Sequence, residues 1–251
     1  MSKNKKFSPI ILIPIFVAIF VLIVLAVSGH LTRTEDIKEP TAETSVSAVN
    51  EQSSEPVSEN SDGKVTLCAV GDNLIHNTLI DAGKQEDGSY DYTSLYQNIA
   101  PVIQKYDVSV IDQETVLGGS DFEYTGYPVF NSPQEIGDAA INAGFDVFNC
   151  ANNHIMDKGS QGIMNEIEYF KKHKDVVYLG INEDEKSYNT IKYYVKNNIT
   201  FALLNYTYGT NGIDLPSDKP WIVNMMDKDK VTKDIKAVSY THLRAHETLA
   251  N

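Results

Sequence analysis

Three short apolar runs in this chain each lead directly into polar side chains that are suited to binding a metal ion. The pairs of apolar run and polar cluster are Val65–Val70 with Gly71–His76, Val108–Ile111 with Asp112-Gln113-Glu114, and Val147–Asn149 with Cys150–Asp157. Apolar runs of this length are typical of buried strands in a parallel sheet. Parallel strands bring their carboxyl ends to one edge, where open α/β sheets bind their ligands. The pattern therefore predicts an α/β fold with a functional site at that edge.

Helices are predicted between these runs, which supports the assignment to the α/β class. Two of them are expected at Thr93–Gln104 and Ser160–Lys172. A third has the clearest boundary signals, which are Ser132 as N-cap, Pro133 at the first helical position, Glu135 completing a capping box, and Gly144 just past the end. Because strands and helices alternate, we expect a sheet that is covered on both faces.

Further strand signals follow towards the carboxyl end. Val176–Leu179 is a short apolar run that stops at Gly180. Ile191–Val195 and Ile199–Asn205 flank Asn197-Asn198, and two strand-like segments on either side of such a pair predict a hairpin.

The charge of the chain restricts its partners. Its 251 residues include 21 Lys and Arg against 34 Asp and Glu, a formal net charge of −13. This balance argues against a nucleic-acid partner. An acidic protein that handles an acidic substrate needs a cation between the two, and a bound divalent metal ion usually serves. We therefore expect a metal cofactor.

The turn after Val147–Asn149 contains an unusual density of polar groups. Asn152, Asn153, His154 and Asp157 lie within six residues of one another, and buried polar groups of this kind need partners. Alternatively, the asparagines simply form a turn while His154 and Asp157 cap the next helix. We favour a functional role for this turn.

The other candidates each have a structural alternative. Asp72 is either a site residue or part of an ordinary Gly-Asp turn, and His76 reaches the same site only if the turn continues as a helix. A surface position for His76 is equally compatible with the sequence. We prefer Glu114 over Asp112 as the site carboxylate, with the other one bonding to a backbone turn.

The amino-terminal segment has the character of a membrane anchor. Pro9–Val27 is an uninterrupted apolar run preceded by three lysines, and it is long enough to cross a bilayer as a helix. Because a basic flank is retained in the cytoplasm, residues 1–30 are expected to form a single-pass anchor in the cell membrane with an extracytoplasmic domain beyond it. A cleaved signal peptide ending near Ala26-Val27-Ser28 is the alternative.

The rest of the chain divides into three parts. Leu31–Gly63 is rich in Glu, Ser and Thr and lacks aromatic residues, which predicts a disordered stalk. The folded domain is expected over residues 64–237. Residues 238–251 match one reading frame of a transposase-type sequencing-library adapter over Val238–Thr248. We interpret them as a cloning or assembly artefact, so His242 and His246 are left out of the site. A genuine helical tail is the alternative, and the source DNA beyond codon 237 decides between the two.

Three of these motifs resemble the successive motifs of the CapA family of capsule or poly-γ-glutamate biosynthesis proteins. They are Gly71-Asp72, Asp112-Gln113-Glu114 and Ala151–Asp157. The resemblance covers roughly Lys64–Ala237. It implies a calcineurin-like metallophosphoesterase-type α/β sandwich of four layers, which is incomplete in this chain.

The resemblance also implies a set of site residues. By motif, the places of metal ligands or catalytic groups are taken by Asp72, Glu114, Asn153 and His154. Asp72 and His154 are the expected catalytic residues, and His76 and Asp112 are weaker candidates. The implied cofactor is a divalent metal ion (Mn, Zn or Mg), expected for the full-length parent only. Asp112 stands where the family pattern more often has Asn, which bears on which of Asp112 and Glu114 is the ligand. A later Gly-His-Pro-His type motif is absent, so the fragment itself is expected to be inactive.

Two functions are compatible with this resemblance. One is a metal-dependent hydrolase that acts in the synthesis, export or attachment of an anionic envelope polymer such as poly-γ-glutamate. The other is a non-catalytic subunit that docks the polymer or other polymer-synthesis membrane proteins. The same residues would serve in either case, since a metal ion could also bridge to a carboxylate polymer.

Overall fold

The computed structural model describes residues 63–247, with side chains described for residues 63–239. The expected anchor over Pro9–Val27 and nearly all of the expected stalk lie outside these residues. Within residues 63–247, every helix is too short or too polar to span a lipid bilayer.

The centre of the fold is a four-stranded parallel sheet. Its strands are β1 (Leu67–Asp72), β2 (Val108–Asp112), β3 (Val147–Asn149) and β4 (Val177–Leu179), and they lie side by side in that order. Asp72 pairs with Asp112 and Asp112 pairs with Asn149, so the last residues of the first three strands are in register. The predicted meeting of the strand ends at one edge is confirmed.

Helices and a hairpin surround this sheet. The helices are α1 (Asn77–Gly83), α2 (Thr93–Tyr96), α3 (Ala100–Ile103), α4 (Glu135–Ala143), α5 (Gly159–Phe170), α6 (Glu185–Tyr188) and α7 (Lys228–Glu247), and a 3₁₀ turn lies at Gly119–Asp121. The antiparallel hairpin consists of β5 (Lys192–Lys196) and β6 (Ile199–Leu203). Asn197 and Asn198 form its turn with φ angles of 50° and 62°, which asparagine tolerates better than most residues. The predicted hairpin is therefore confirmed.

The two faces of the sheet pack against different layers. Ile111 and Phe148 belong to the main core, together with apolar side chains of α4 and α5. Val110 and Val147 lie in a second cluster, packed against aromatic and aliphatic side chains of the hairpin. Side chains alternate between faces along a strand, so β2 and β3 supply both layers. The sheet is covered on both faces as predicted, with the hairpin covering one of them.

The predicted helix over Thr93–Gln104 is wrong as a single element. It divides into α2 and α3, and Pro101 explains the division. In a continuous helix the nitrogen of residue 101 would donate to the carbonyl of Gln97, and proline has no hydrogen there to donate. Proline is tolerated in the first turn of a new helix, where α3 has it.

The predicted capping signals of α4 are confirmed at one end only. Gly144 follows the helix with a φ angle of 107°, a left-handed conformation that glycine adopts readily. At the other end the helix begins at Glu135, without a side-chain cap. The Ser132 hydroxyl donates instead to Thr115 Oγ1 at 2.8 Å. Ser132 therefore fastens the loop after β2 rather than the helix.

Candidate functional site

Three carboxyl groups meet at the carboxyl edge of the sheet. Asp72 ends β1, Asp112 ends β2, and Glu114 follows two residues later. Burial, followed by the neighbouring charges of Asp72 and Glu114, raises the pKa of Asp112 to about 8. Burial and then the Asp72 carboxylate raise the pKa of Glu114 to about 7, although the His154 ring opposes this shift. The cluster therefore concentrates negative charge that a proton or a cation would relieve.

Gln113 anchors the segment that carries two of these carboxylates. It lies between Asp112 and Glu114 in the sequence, and its side chain is fully buried. Its Oε1 accepts a hydrogen bond from Asn73 Nδ2 at 2.8 Å, and its Nε2 donates to the Thr115 carbonyl at 2.7 Å. Asp112 and Glu114 therefore both lie near Asp72, although the sequence favoured only one of them as the site residue. The Gln113 amide between them belongs to the core.

The carboxylate cluster has the donor chemistry of a site for a divalent cation. Glu114 Oε2 is buried and receives no hydrogen bond, and carboxylate oxygens are the ligands that Mg²⁺ and Mn²⁺ prefer. The described residues do not contain three His, Cys, Asp or Glu side chains already arranged around one point for a metal ion. The three carboxylates repel one another, and their side chains would reorient if a cation compensated that repulsion.

His154 forms a pair with Asp157. Its Nδ1 lies 2.8 Å from Asp157 Oδ2, and the two side chains are only 11% and 2% exposed. The same carboxylate oxygen accepts a hydrogen bond from the Phe130 backbone nitrogen at 2.7 Å. Helix α5 starts at Gly159, and its N-cap Lys158 makes no side-chain capping bond. His154 and Asp157 therefore orient one another and do not cap α5.

The turn that carries His154 is fixed from both sides. Asn152 Nδ2 donates to the Gln113 carbonyl at 2.8 Å, and Asn152 Oδ1 accepts from the His154 backbone nitrogen at 2.9 Å. Asn205 Oδ1 accepts from the Ala151 nitrogen at 2.7 Å. These bonds connect the turn to the segment after β2, so the imidazole and the carboxylate cluster are held in one framework.

Two further candidates lie beside this pair. Asn153 is partly buried, and its Nδ2 donates to Asn211 Oδ1 at 3.2 Å. His76 is exposed at the start of α1, with its ring centre 5.2 Å from that of Phe130. The Phe130 ring also contacts the His154 ring, with the two ring centres 4.7 Å apart. Phe130 thus touches both histidines.

Sequence reasoning included Asp157 in the polar turn but did not identify it as the orienting partner of His154. It did not single out Phe130, which packs against the His154 ring, or Asn211, which also touches it. The three-residue spacing from His154 to Asp157 was a usable signal. Phe130 and Asn211 reach the imidazole from loops distant in the chain, and nothing in the local sequence marks them.

The same segments were compared with known proteins. The family described as bacterial capsule synthesis protein PGA_cap matches residues 66–249. The chain belongs to the PGA_cap family. A curated relative, the capsule biosynthesis protein CapA of Bacillus anthracis, is 28% identical over 156 residues, which are 61% of this chain and 37% of the relative. The chain thus spans little more than a third of the length of that relative, and the resemblance to the CapA family is confirmed.

The PGA_cap match includes all the candidate site residues and every strand of both sheets. It also extends to residue 249, into the segment that matches the adapter. The adapter origin of residues 238–251 stays a prediction, and the source DNA is its test.

Proposed function

We propose that the full-length protein of this PGA_cap chain acts in the synthesis, export or attachment of an anionic envelope polymer, as a metal-dependent hydrolase. The bond it cleaves is a phosphodiester or a γ-glutamyl amide. The observation that carries this proposal is the meeting of the Asp72, Asp112 and Glu114 carboxylates with the His154–Asp157 pair at one edge of the sheet. Such a set combines a cation site with a positioned proton acceptor.

The carboxylates and neighbouring groups are the proposed metal ligands. Asp72, Glu114, Asn153 and His154 would hold a divalent ion such as Mn²⁺, Zn²⁺ or Mg²⁺, with Asp112 beside them. When bound, the ion would polarise the scissile bond and lower the pKa of a coordinated water molecule. The buried, unpaired Glu114 Oε2 supports this role. The ion would also reduce the electrostatic repulsion between the acidic protein and an anionic substrate.

The His154–Asp157 pair contributes the oriented imidazole. A carboxylate accepts hydrogen bonds only, so Asp157 holds the proton of the neutral ring on Nδ1 and leaves Nε2 for substrate, water or metal. Partners of this kind are known to tune the basicity and orientation of a histidine. Truncating His154 would therefore remove the function of the site rather than its fold.

The place of action that we propose is the outer surface of the cell membrane. The apolar segment Pro9–Val27 would anchor the protein, with the amino terminus in the cytoplasm. The proposed partners are the polymer itself, such as poly-γ-glutamate, and other membrane proteins of its synthesis. The relative from Bacillus anthracis carries a name that refers to capsule biosynthesis, which supports this context.

The test is an assay of the full-length protein with phosphodiester and γ-glutamyl amide substrates, with and without Mn²⁺, Zn²⁺ or Mg²⁺. His154→Ala is expected to lower kcat/KM by at least about 100-fold, as is usual for loss of a general base or ligand. His173→Ala is the matched control, because His173 contacts Tyr169 and Asp138 at the end of α5. Equal activity in the wild type and His154→Ala would overturn the hydrolase proposal.

The same variants separate hydrolysis from docking when polymer formation is followed in cells. If His154→Ala leaves capsule formation intact while deletion of Pro9–Val27 abolishes it, the protein is a docking subunit. Loss of capsule in both variants supports the hydrolase.

A further inference from the structure

A cavity opens at the surface between α6 and the loop that precedes α7. Its volume is about 380 Å³, within the range of about 300–1,000 Å³ that is typical of small-molecule sites. The residues that line it are Glu185, Tyr188, Asp218, Pro220 and Trp221. None of them is a candidate residue at the carboxyl edge of the sheet, so the cavity is a feature in addition to the carboxylate cluster.

Hydrogen bonds hold both walls of this cavity. At the start of α6, Asp184 is the N-cap, and its Oδ1 accepts from the Ser187 nitrogen at 2.7 Å. In the other wall, the Trp221 carbonyl accepts from Asn182 Nδ2 at 2.9 Å, and the Ile222 carbonyl accepts from the Asn182 backbone nitrogen at 3.0 Å. The walls are therefore formed by the fold itself, as is usual for small-molecule sites.

The lining combines apolar rings with negative charge. Trp221 and Tyr188 are partly buried, and Trp221 also packs against the main core. Glu185 and Asp218 are exposed. Among residues 63–239, neither carboxylate forms an ion pair. A ligand in this cavity therefore meets aromatic rings and two carboxylates that lack a partner cation in that part of the chain.

Tyr188 already interacts with one cation of the chain. Lys230 Nζ lies over its ring, 4.7 Å from the ring centre. The same ammonium group bonds to Asp234, so its charge is compensated there. Because Lys230 is not part of the cavity lining, it leaves the charges of Glu185 and Asp218 available to a ligand.

We propose that this cavity binds a small organic amine in its ammonium form. An ammonium group has three N–H donors for carboxylate oxygens, and aromatic rings attract a cation. The alkyl part of the same ligand would pack against Trp221, Tyr188 and Pro220. A neutral ligand would lack the charge pairs, and an anion would be repelled. The proposal does not depend on the proposed function, because it uses none of the residues of the hydrolase site.

The test uses the fluorescence of Trp221, which is the only tryptophan among the 251 residues and therefore reports on this cavity. The full chain is titrated with n-butylammonium chloride at neutral pH, where an alkylamine is protonated, and at constant ionic strength. The amine is expected to change the emission in a saturable way. n-Butanol and butyrate have similar alkyl chains without the positive charge and are expected to give no saturable change. An equal response to n-butanol, or none to the amine, would overturn the proposal.

Variants of the two carboxylates test the charge pairs. Glu185→Gln and Asp218→Asn are each expected to raise the Kd for n-butylammonium about two- to fivefold, the usual range for an exposed ion pair. Calorimetry measures the same Kd without the tryptophan signal. Asp214→Asn is the matched control, because Asp214 is an exposed acid of the same loop outside the lining.

The control also separates a specific site from general attraction by the net charge of −13. Asp214→Asn changes that charge by the same single unit and is expected to leave the Kd unchanged. If it raises the Kd as much as Asp218→Asn does, or if the double variant at Glu185 and Asp218 keeps the wild-type Kd, the proposal is wrong. The measurement needs no turnover, so it remains decisive if the hydrolase assay fails.

Discussion

Asp157 Oδ2 lies 2.8 Å from His154 Nδ1 and accepts the Phe130 backbone N–H at 2.7 Å with the same oxygen. One atom therefore orients the imidazole and fixes the loop that carries the aromatic ring packed against it. The Asp157 carboxylate therefore links the orientation of the His154 ring to the loop that packs against it.

Asp157→Asn is expected to lower hydrolytic activity by about 10–100-fold, the usual effect of removing an orienting carboxylate from a ligand or base. The amide has a similar shape, but it binds the ring less strongly than a carboxylate and can present a donor to Nδ1. Steady-state kinetics of the full-length protein measure this change. Asp121→Asn is the control, because Asp121 is exposed and its carboxylate accepts from Asn165. If both variants keep wild-type kcat/KM, the pair has no catalytic role.

Gln113→Leu is expected to destabilise the fold by about 2–4 kcal/mol. It leaves the buried Asn73 Nδ2 and the Thr115 carbonyl without the partners that Gln113 supplies, and each unpaired polar group costs about 1–3 kcal/mol. Denaturant unfolding measures the loss. Gln161→Leu, on the exposed side of α5, is expected to change stability by under about 0.5 kcal/mol. A Gln113→Leu protein as stable as the wild type would show that the amide is not a structural anchor.

Asp72→Asn is expected to lower the pKa of Glu114 from about 7 towards the ordinary range, because the Asp72 carboxylate is the second cause of its rise after burial. The pKa of Asp112 is expected to fall as well but to stay raised, since burial is its largest cause. Carboxyl ¹³C NMR titration of the chelator-treated protein measures both values. Asp81→Asn, on the exposed surface of α1, serves as the control. Unchanged pKa values in Asp72→Asn would mean that Asp72 does not interact with the other two carboxylates.

Glu166 is expected to make stability depend on pH. Burial raises its pKa to about 8, so between about pH 4.5 and 8 the folded protein binds a proton that the unfolded chain releases. Stability should therefore fall as pH rises through this window and level off above it, by about 2–5 kcal/mol in total. Glu166→Gln should remove the share of Glu166 in this loss, because a glutamine side chain does not ionise and can still accept from the Leu117 nitrogen. Asp112 and Glu114 keep their own shares, since their pKa values are also raised.

Chemical denaturation at several pH values measures the Glu166 effect. Glu168→Gln on the same helix is exposed and should keep the wild-type slope. The explanation fails if Glu166→Gln retains the full loss of stability between pH 5 and 8.

Much of the framework of the site could be predicted from the sequence because its signals are local. The apolar runs that become β1, β2 and β3 end in polar residues, and parallel strands necessarily present those ends together. The hairpin turn at Asn197 and Asn198 is equally local. The division of the helix at Pro101 is also a local signal, because one proline is enough to predict it.

The remaining features depend on contacts between distant segments. Ser132 matches the pattern of an N-cap residue in the sequence. In the fold its hydroxyl donates to Thr115 instead, a residue 17 positions earlier in the chain. Asn211 meets His154 only once the loop after β6 is in place. No local pattern in the chain contains such information. For the same reason, the sequence does not show that the Gln113 side chain is buried between Asn73 and Thr115.

The order acid, amide, acid at Asp112-Gln113-Glu114 also makes this segment intolerant of changes in length. Deleting or inserting one residue there would move a carboxylate into the position of the buried amide, next to Asn73, and would move the amide out among the acids. Point substitutions can be absorbed locally, whereas a shift of one position would damage the core and the site in the same step. Homologues should therefore vary in the loops around this tripeptide but keep its length.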